Sequence, residues 1–303
     1  MKIGFIEPHL KIVGGIRRIL EVTTRLKKFG YDVTIYTPSG EGQTWFDTSV
    51  PVKRLSKIHN VPHDVLVFNL AEQYNICLQA KAKKKIFWVL APEAYYKTVT
   101  IPVTALNQNF YLLCNSSYTR DYIKKYVTVP YEIPIIPGGI NPLHFRYDPT
   151  IPKNYHVLYY GSRRPWKGAT LIKSAMQSTN LNVTCMEGLK TKQTDMYKLY
   201  NSSVLYVSAG LAEGFSMPPL EAMACGCVVI CTNEGGNMDY IKNGWNCILS
   251  TRDPNSIKRH VMNTLKDPKL IQTLRYNGLL TAKQSKFNWD NITKKFLSAV
   301  ENF

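Results

Sequence analysis

The sequence predicts an α/β protein of two domains, each built on a parallel β-sheet with crossover helices. Three observations carry this. Short apolar runs of strand length alternate with segments of helical period, as parallel strands joined by helices require. The 303 residues suit about two domains, each large enough for its own core. A proline- and glycine-rich stretch, PIIPGGINPLHFRYDPTIP, separates two such alternating halves as a linker would. The expected divisions are 1–145, 146–285 and a last amphipathic helix in 286–303.

In chain order, KIGFIEP is the first strand. Gly14 and Gly15 then open a helix that places Ile16, Ile19, Leu20 and Leu26 on one face, and Gly30 ends it. VTIYTP, VLVFNL, KIFWVL and YLLCNS complete the strands of the first half. HVLYYGS, NVTCMEG, VLYVSAG and CVVICTN are the strands of the second. Helical segments run from Asn255 to Gln284, and FNWDNITKKFLSAVENF has the spacing of an amphipathic helix. No internal repeat or low-complexity tract interrupts them.

Composition narrows the class. A hydrophobic content of 45% excludes a disordered chain. No apolar run reaches the roughly 18 residues of a membrane span, and MKIGFIEP lacks an extended apolar leader, so the chain reads as cytoplasmic. The seven cysteines lack paired C-x-x-C spacing and are expected to be reduced core thiols. Thirty-eight Lys and Arg against 21 Asp and Glu give a net charge of +17, divided almost evenly between the halves. Such a field favours anionic partners: nucleotide diphosphates, an anionic membrane surface met peripherally, or nucleic acid. Nucleic acid is disfavoured because no zinc-finger or RNA-reading motif accompanies the charge. Lys81, Lys83, Lys84 and Lys85, and Lys124 with Lys125, are accounted for as solvated faces or helix ends.

The richest stretch for chemistry is AEGFSMPPLEAMACGCVVICTNEGGNMDYIKNGWNCIL, from Ala212 to Leu249. Pro218 and Pro219 suit the first turn of a helix, so a helix is expected from about Met217 to Gly226. Glu213 then lies in the preceding loop and Glu221 in the first turn. The peptide N–H groups of Gly214, Phe215, Ser216 and Met217 face the helix N-terminus, a natural place for a polar or anionic ligand.

These residues resemble the retaining glycosyltransferases of family 4 (group 1), whose hallmark is E-G-F-G-x-P-x-x-E-A-M-A-x-G-x-P-V followed by G-G and an acid. Here the matching residues are Glu213, Gly214, Phe215, Pro218, Glu221, Ala222, Met223, Ala224, Gly226, Val228, Gly235, Gly236 and Asp239. The resemblance implies a GT-B fold: two Rossmann-like domains facing across a cleft, the first holding the acceptor and the second the nucleotide-sugar. The final helix would return to the first domain.

By resemblance, Glu221 binds ribose hydroxyls, Glu213 lies at the donor sugar as the catalytic carboxylate, the Phe215 to Met217 backbone binds sugar hydroxyls, and Gly214 belongs to the same donor-binding stretch. YYGSRRPWKGATL resembles the family's G-R-x-x-x-x-K-G segment, which implies that Lys167, with Arg163 or Arg164, holds the donor diphosphate; Ser162 stands at the usual arginine place. Cations are needed there because the leaving diphosphate gains negative charge. Gly15 matches a glycine turn that approaches donor phosphates or sugar, although a tight structural turn would use the same residues. The first-domain histidine common in the family is absent; Glu93 is the nearest polar residue, as an acceptor or donor-sugar contact or as a loop cap. One β-α unit is expected to be missing between Thr170 and Asn182, which affects the placing of Gly188 and Leu189 towards the base.

The implied function is transfer of a hexose-like sugar from a UDP- or GDP-sugar to a hydroxyl of a glycan, glycolipid or protein-linked sugar. In the family's front-face route the leaving phosphate takes the acceptor proton, so no protein base is demanded. No cofactor beyond the nucleotide-sugar is expected, and no metal, since no D-x-D occurs. The dinucleotide pattern G-x-G-x-x-G is also absent. Two alternatives stay open: a non-catalytic nucleotide-sugar-binding subunit and a nucleotide-sugar epimerase of the same fold.

Overall fold

The computed structural model describes residues 1–92, 110–187 and 193–303. Glu93, Gly188 and Leu189 lie outside the described residues. The chain divides into two compact units, 1–139 with 289–303 and 140–288.

In the first unit the strands are β1 (Lys2–Ile6), β2 (Asp32–Thr37), β3 (Val52–Arg54), β4 (His63–Phe68), β5 (Ala82–Val89) and β6 (Tyr111–Cys114). They form a wholly parallel sheet in the order β3-β2-β1-β4-β5-β6. Apart from the edge strand β3 and the lysine-rich start of β5, these strands are buried and read as nearly continuous apolar runs, as parallel sheets require. Helix α1 (Gly14–Lys28) buries Ile16, Ile19, Leu20 and Leu26 as its spacing predicts. The short helices α2 (Tyr74–Gln79) and α3 (Ser117–Ile123) follow β4 and β6; Ser116 caps α3 by accepting from the Thr119 N–H. The core between them is aromatic, with Phe68 stacked on Phe87 at 4.6 Å and Phe110 edge-on to Phe68 at 5.0 Å.

In the second unit β7 (Tyr155–Gly161), α4 (Ala169–Met176), β8 (Val183–Glu187), α5 (Gln193–Asn201), β9 (Ser203–Ser208), α6 (Met217–Ala224), β10 (Val228–Cys231) and β11 (Cys247–Leu249) alternate. The strand order is β11-β10-β9-β7-β8, again all parallel. Between Thr170 and Asn182 the chain runs through α4 directly to β8. Helices α7 (Pro254–Leu265) and α8 (Pro268–Ala282) both start on an aspartate cap followed by proline, Asp253 and Asp267.

Helix α9 (Trp289–Asn302) belongs to the first unit. Its Phe296 ring lies 6.0 Å from Phe5 and 5.5 Å from Trp88, and Asp290 pairs with Arg25 of α1 at 2.7 Å. The linker residues from Ile140 group with the second unit instead of closing the first. The Ile140 N–H donates to Phe287 O at 2.8 Å, the Phe145 ring meets Tyr200 at 6.0 Å, and the Asp148 N–H donates to Asn201 Oδ1 at 2.7 Å. The observed divisions fall after 139 and 288, where 145 and 285 were expected.

Candidate active site

Open parallel sheets bind ligands beyond the carboxyl ends of their strands, where the strand order reverses. In the second unit that reversal lies between β7 and β9. The loops that leave these two strands, joined by the loop after β10, carry the residues the motifs single out.

The loop after β7 turns tightly through Pro165–Lys167 into Gly168. Gly168 has φ +71°, and a Cβ there would sit 2.0 Å from Ala209 O, so glycine alone lets this turn press on the loop after β9. The Leu211 N–H donates to Trp166 O at 2.8 Å. Arg252 clamps both loops, donating to Ala209 O and to Pro165 O at 3.0 Å each. The outcome is an ion pair across the reversal point, Lys167 Nζ to Glu213 Oε2 at 2.8 Å. Burial pulls the Lys167 ammonium down, but the Glu213 and Glu234 carboxylates outweigh it and hold its pKa above the usual lysine value. Arg163, on the same turn, is exposed and pairs with no acid among the described residues, whereas Arg164 lies over the Trp166 ring at 5.7 Å.

Glu213 is fixed by its backbone. Its N–H donates to Glu234 O at 2.5 Å, and its carbonyl accepts from the Gly236 N–H at 2.9 Å. A Cβ on Gly236 would fall 1.9 Å from Gly214 O, and Gly235 has φ +97°, which explains the glycine pair after β10. Phe215 packs into an aromatic triangle with Tyr240 at 5.4 Å and Phe287 at 6.3 Å. Helix α6 begins at Met217, as the two prolines predict, and ends before Gly226 with φ +76°. Its proline N1/N2 region supplies fewer peptide N–H groups than an ordinary helix start. Glu221, in the early part of α6, is buried at 3% exposure and accepts from the Tyr200 hydroxyl at 3.2 Å. Burial, and next the Glu221 charge, push that hydroxyl well above its ordinary pKa, so it stays a donor.

Beneath the loop lies Glu234, 1% exposed. Its carboxylate accepts from the Ser208 and Ser216 hydroxyls and, at 3.0 Å, from the Gly210 N–H. Burial raises its pKa, and the serine donors partly oppose this. Glu234, Tyr200, Tyr240 and Arg252 escaped sequence reasoning. The one available signal was an acid directly ahead of Gly-Gly, three positions beyond a strand.

The structure thus brings Lys167, Glu213, Gly214, Phe215, Ser216 and Met217 into one loop cluster, with Glu221 in the helix it opens and Arg163 at its rim. Gly15 is in the other unit, near the start of α1. Neither Gly14 nor Gly15 has positive φ; a Cβ on Gly14 would touch nothing and one on Gly15 would make ordinary contact with Leu90 at 3.5 Å. A tight structural turn therefore does not require them. In that unit the strand order reverses between β1 and β4, and the residue after β1, Glu7, is 1% exposed. Asn69 Nδ2 donates to Glu7 Oε1 at 2.6 Å, while Oε2 has no partner among the described residues. Burial pushes the Glu7 carboxyl up to about 8. Among the described residues no cluster of His, Cys, Asp and Glu is arranged to hold a metal, and no helix is long and apolar enough to cross a membrane.

Residues 170–280, which hold the Glu213–Glu221 loop and helix, match the family model for glycosyl transferases group 1. Whole-chain likenesses place the architecture in the GT-B class. Sucrose-phosphate synthase from Thermosynechococcus elongatus superposes with a TM-score of 0.82 at 15% identity, covering 100% of this chain and 98% of the other. Anabaena HepE in complex with UDP-glucose gives 0.81 at 16% identity, covering 100% of both. In sequence, O-antigen chain mannosyltransferase B of Escherichia coli is 30% identical over 107 residues, which is 35% of this chain. The match spans about a quarter of that relative, 27% of its length.

Proposed function

We propose that the protein is a retaining glycosyltransferase that moves a hexose-like sugar from a nucleotide-diphosphate-sugar to a hydroxyl acceptor, without a metal ion. The observation that carries the reading is the Lys167–Glu213 pair at the strand-order reversal, ahead of a helix whose first turns carry the buried Glu221. The group 1 match and the resemblance of the E-G-F-S-M-P-P-L-E stretch support it.

The residues divide the work by their chemistry. Lys167 has three N–H donors, of which Glu213 takes one, so a phosphate oxygen can be held without breaking the pair. Exposed Arg163 adds a planar fork that suits a diphosphate. Both cations oppose the charge that grows on the leaving diphosphate, where a fixed donor acts more strongly than water. Glu221, kept in place by Tyr200, accepts from ribose hydroxyls. Glu213, anchored by two backbone bonds, sits at the donor sugar. The leaving phosphate takes the acceptor proton as the new glycosidic bond forms, consistent with front-face retention. Gly15 offers a backbone free of side chain at the β1–α1 turn of the first unit, which binds the acceptor; a lipid-linked sugar fits the basic charge and a peripheral site at an anionic membrane on the cytoplasmic side.

A thermal-shift screen against UDP-, GDP-, ADP- and dTDP-sugars and the free nucleotides tests this, since a ligand of the native state raises its melting temperature. Selective stabilisation by one nucleotide class, persisting in EDTA, is expected. No shift with any of them refutes a nucleotide-sugar site, and a shift abolished by EDTA refutes metal independence.

A further inference from the structure

We propose that Glu234 is the positioning residue of the 213–217 loop: its buried carboxylate locks Ser216 in the left-handed backbone conformation from which α6 starts. The role deepens the donor reading above, and depends on it only for what the loop binds.

Ser216 has φ +55° and ψ +75°, a region that residues with a Cβ avoid. Ala212 at φ +61° is a second such residue, so two strained positions bracket Glu213, Gly214 and Phe215. Conformations of this kind persist where the surroundings over-determine them. At Ser216 they do so from both sides: its hydroxyl donates to Glu234 Oε2, and its carbonyl accepts from the Tyr240 hydroxyl.

Ser216 stands where a helix cap would, yet it does not cap. A serine cap needs extended backbone and a hydroxyl that accepts from the first turn. Here the backbone is left-handed and the hydroxyl makes no such bond. The proline N1/N2 region of α6 leaves less to cap, which frees the hydroxyl for Glu234.

Glu234 also reaches the rest of the loop. Its other carboxylate oxygen accepts from Ser208 Oγ and from the Gly210 N–H, and its carbonyl accepts from the Glu213 N–H. Asn237 Oδ1 in turn accepts from the Glu234 N–H at 3.0 Å. A Cβ on Gly210 would lie 2.9 Å from the Glu234 carboxyl carbon, so the carboxylate fits closely against that backbone. One side chain therefore ties the beginning and end of the loop, and its own backbone ties the middle.

The test compares Ser216→Ala, Ser216→Gly, Glu234→Gln and the Ser216→Gly/Glu234→Gln pair in the full chain by amide hydrogen exchange, which needs no ligand. Alanine keeps the Cβ and loses the hydroxyl; glycine loses both and takes the left-handed conformation unaided. Ser216→Ala and Glu234→Gln are expected to speed exchange of the 213–217 amides about tenfold, and Ser216→Gly less than about threefold. In the glycine background Glu234→Gln should add little, and β9 and β10 should exchange as in the unaltered chain throughout. Equal exchange in the alanine and glycine variants, or loosening of β9 and β10 as large as that of the loop, overturns the proposal. Calorimetry with UDP and GDP is run on the same proteins, and the Kd of whichever binds should weaken in the same order. A bound nucleotide whose Kd is indifferent to all four variants also overturns it. If neither nucleotide binds the unaltered chain while the exchange pattern holds, the donor reading fails and the positioning role stands.

Discussion

Replacing Glu7 by glutamine should stabilise the first unit at alkaline pH and leave it nearly unchanged in acid. Glu7 is 1% exposed, with one oxygen held by Asn69 Nδ2 and the other unpaired among the described residues. Burial raises its carboxyl from 4.5 to about 8. The folded unit therefore keeps a proton that the unfolded chain releases between those values, so the stability supplied by the protonated form is full below pH 4.5 and drains as pH rises towards 8. At about 1.4 kcal/mol per pKa unit, the ceiling on that loss is roughly 5 kcal/mol. Glutamine keeps an oxygen for Asn69 and cannot ionise, so it escapes the loss. Urea-dependent hydrogen exchange of β1 and β4 peptides, measured at pH 5 and pH 8.5, resolves the unit concerned. The gap between variant and unaltered protein should be small at pH 5 and several kcal/mol at pH 8.5. A gap equal at the two values would show that Glu7 ionises in the folded state as it does in the unfolded one.

Three further outcomes are expected. Lys167→Ala removes a charge-assisted contact worth about 1.5–3 kcal/mol and should weaken nucleotide diphosphate binding at least about tenfold, read by calorimetry; unchanged affinity removes Lys167 from the site. Glu213→Gln preserves the backbone bonds to Glu234 and Gly236, so it should fold with an unaltered circular dichroism spectrum and lose most of its sugar transfer; near-normal turnover removes the carboxylate from the reaction. Gly236→Ala drives a Cβ into Gly214 O and should lower the melting temperature of the second unit, whereas Gly15→Ala, which meets open space and one ordinary contact, should not.

The elements legible in the sequence were those whose burial left a mark on composition. Apolar runs located β1, β2, β4 to β10, and the two prolines located the start of α6. Among the described residues two strands went unseen, Val52–Arg54 and Cys247–Leu249. Each is three residues long, and the first, with exposed Lys53 and Arg54, is a sheet edge that takes its conformation from pairing with β2 and carries no apolar pattern of its own. At the site, Lys167, Glu213 and Glu221 were legible because they sit at fixed offsets from glycines and prolines. Glu234 was not: Thr-Asn-Glu-Gly-Gly reads as a polar turn, and its burial arises when the loop from β9 folds over it. Glu7 was hidden similarly, as the end of an apolar strand whose neighbour across the reversal, Asn69, is 62 positions away.

The membership of α9 in the first unit has a consequence for biosynthesis. The second unit is encoded inside the first, between Gly139 and Trp289. Translation therefore delivers every residue of the inserted unit before Phe296 and its neighbours can reach Phe5 and Trp88. The nascent first unit must wait with that apolar face exposed while the second is made, at a time when its own sheet is already synthesised. A chain truncated before residue 289 would hold every residue of the second unit while the first unit lacked the helix that covers Phe5 and Trp88.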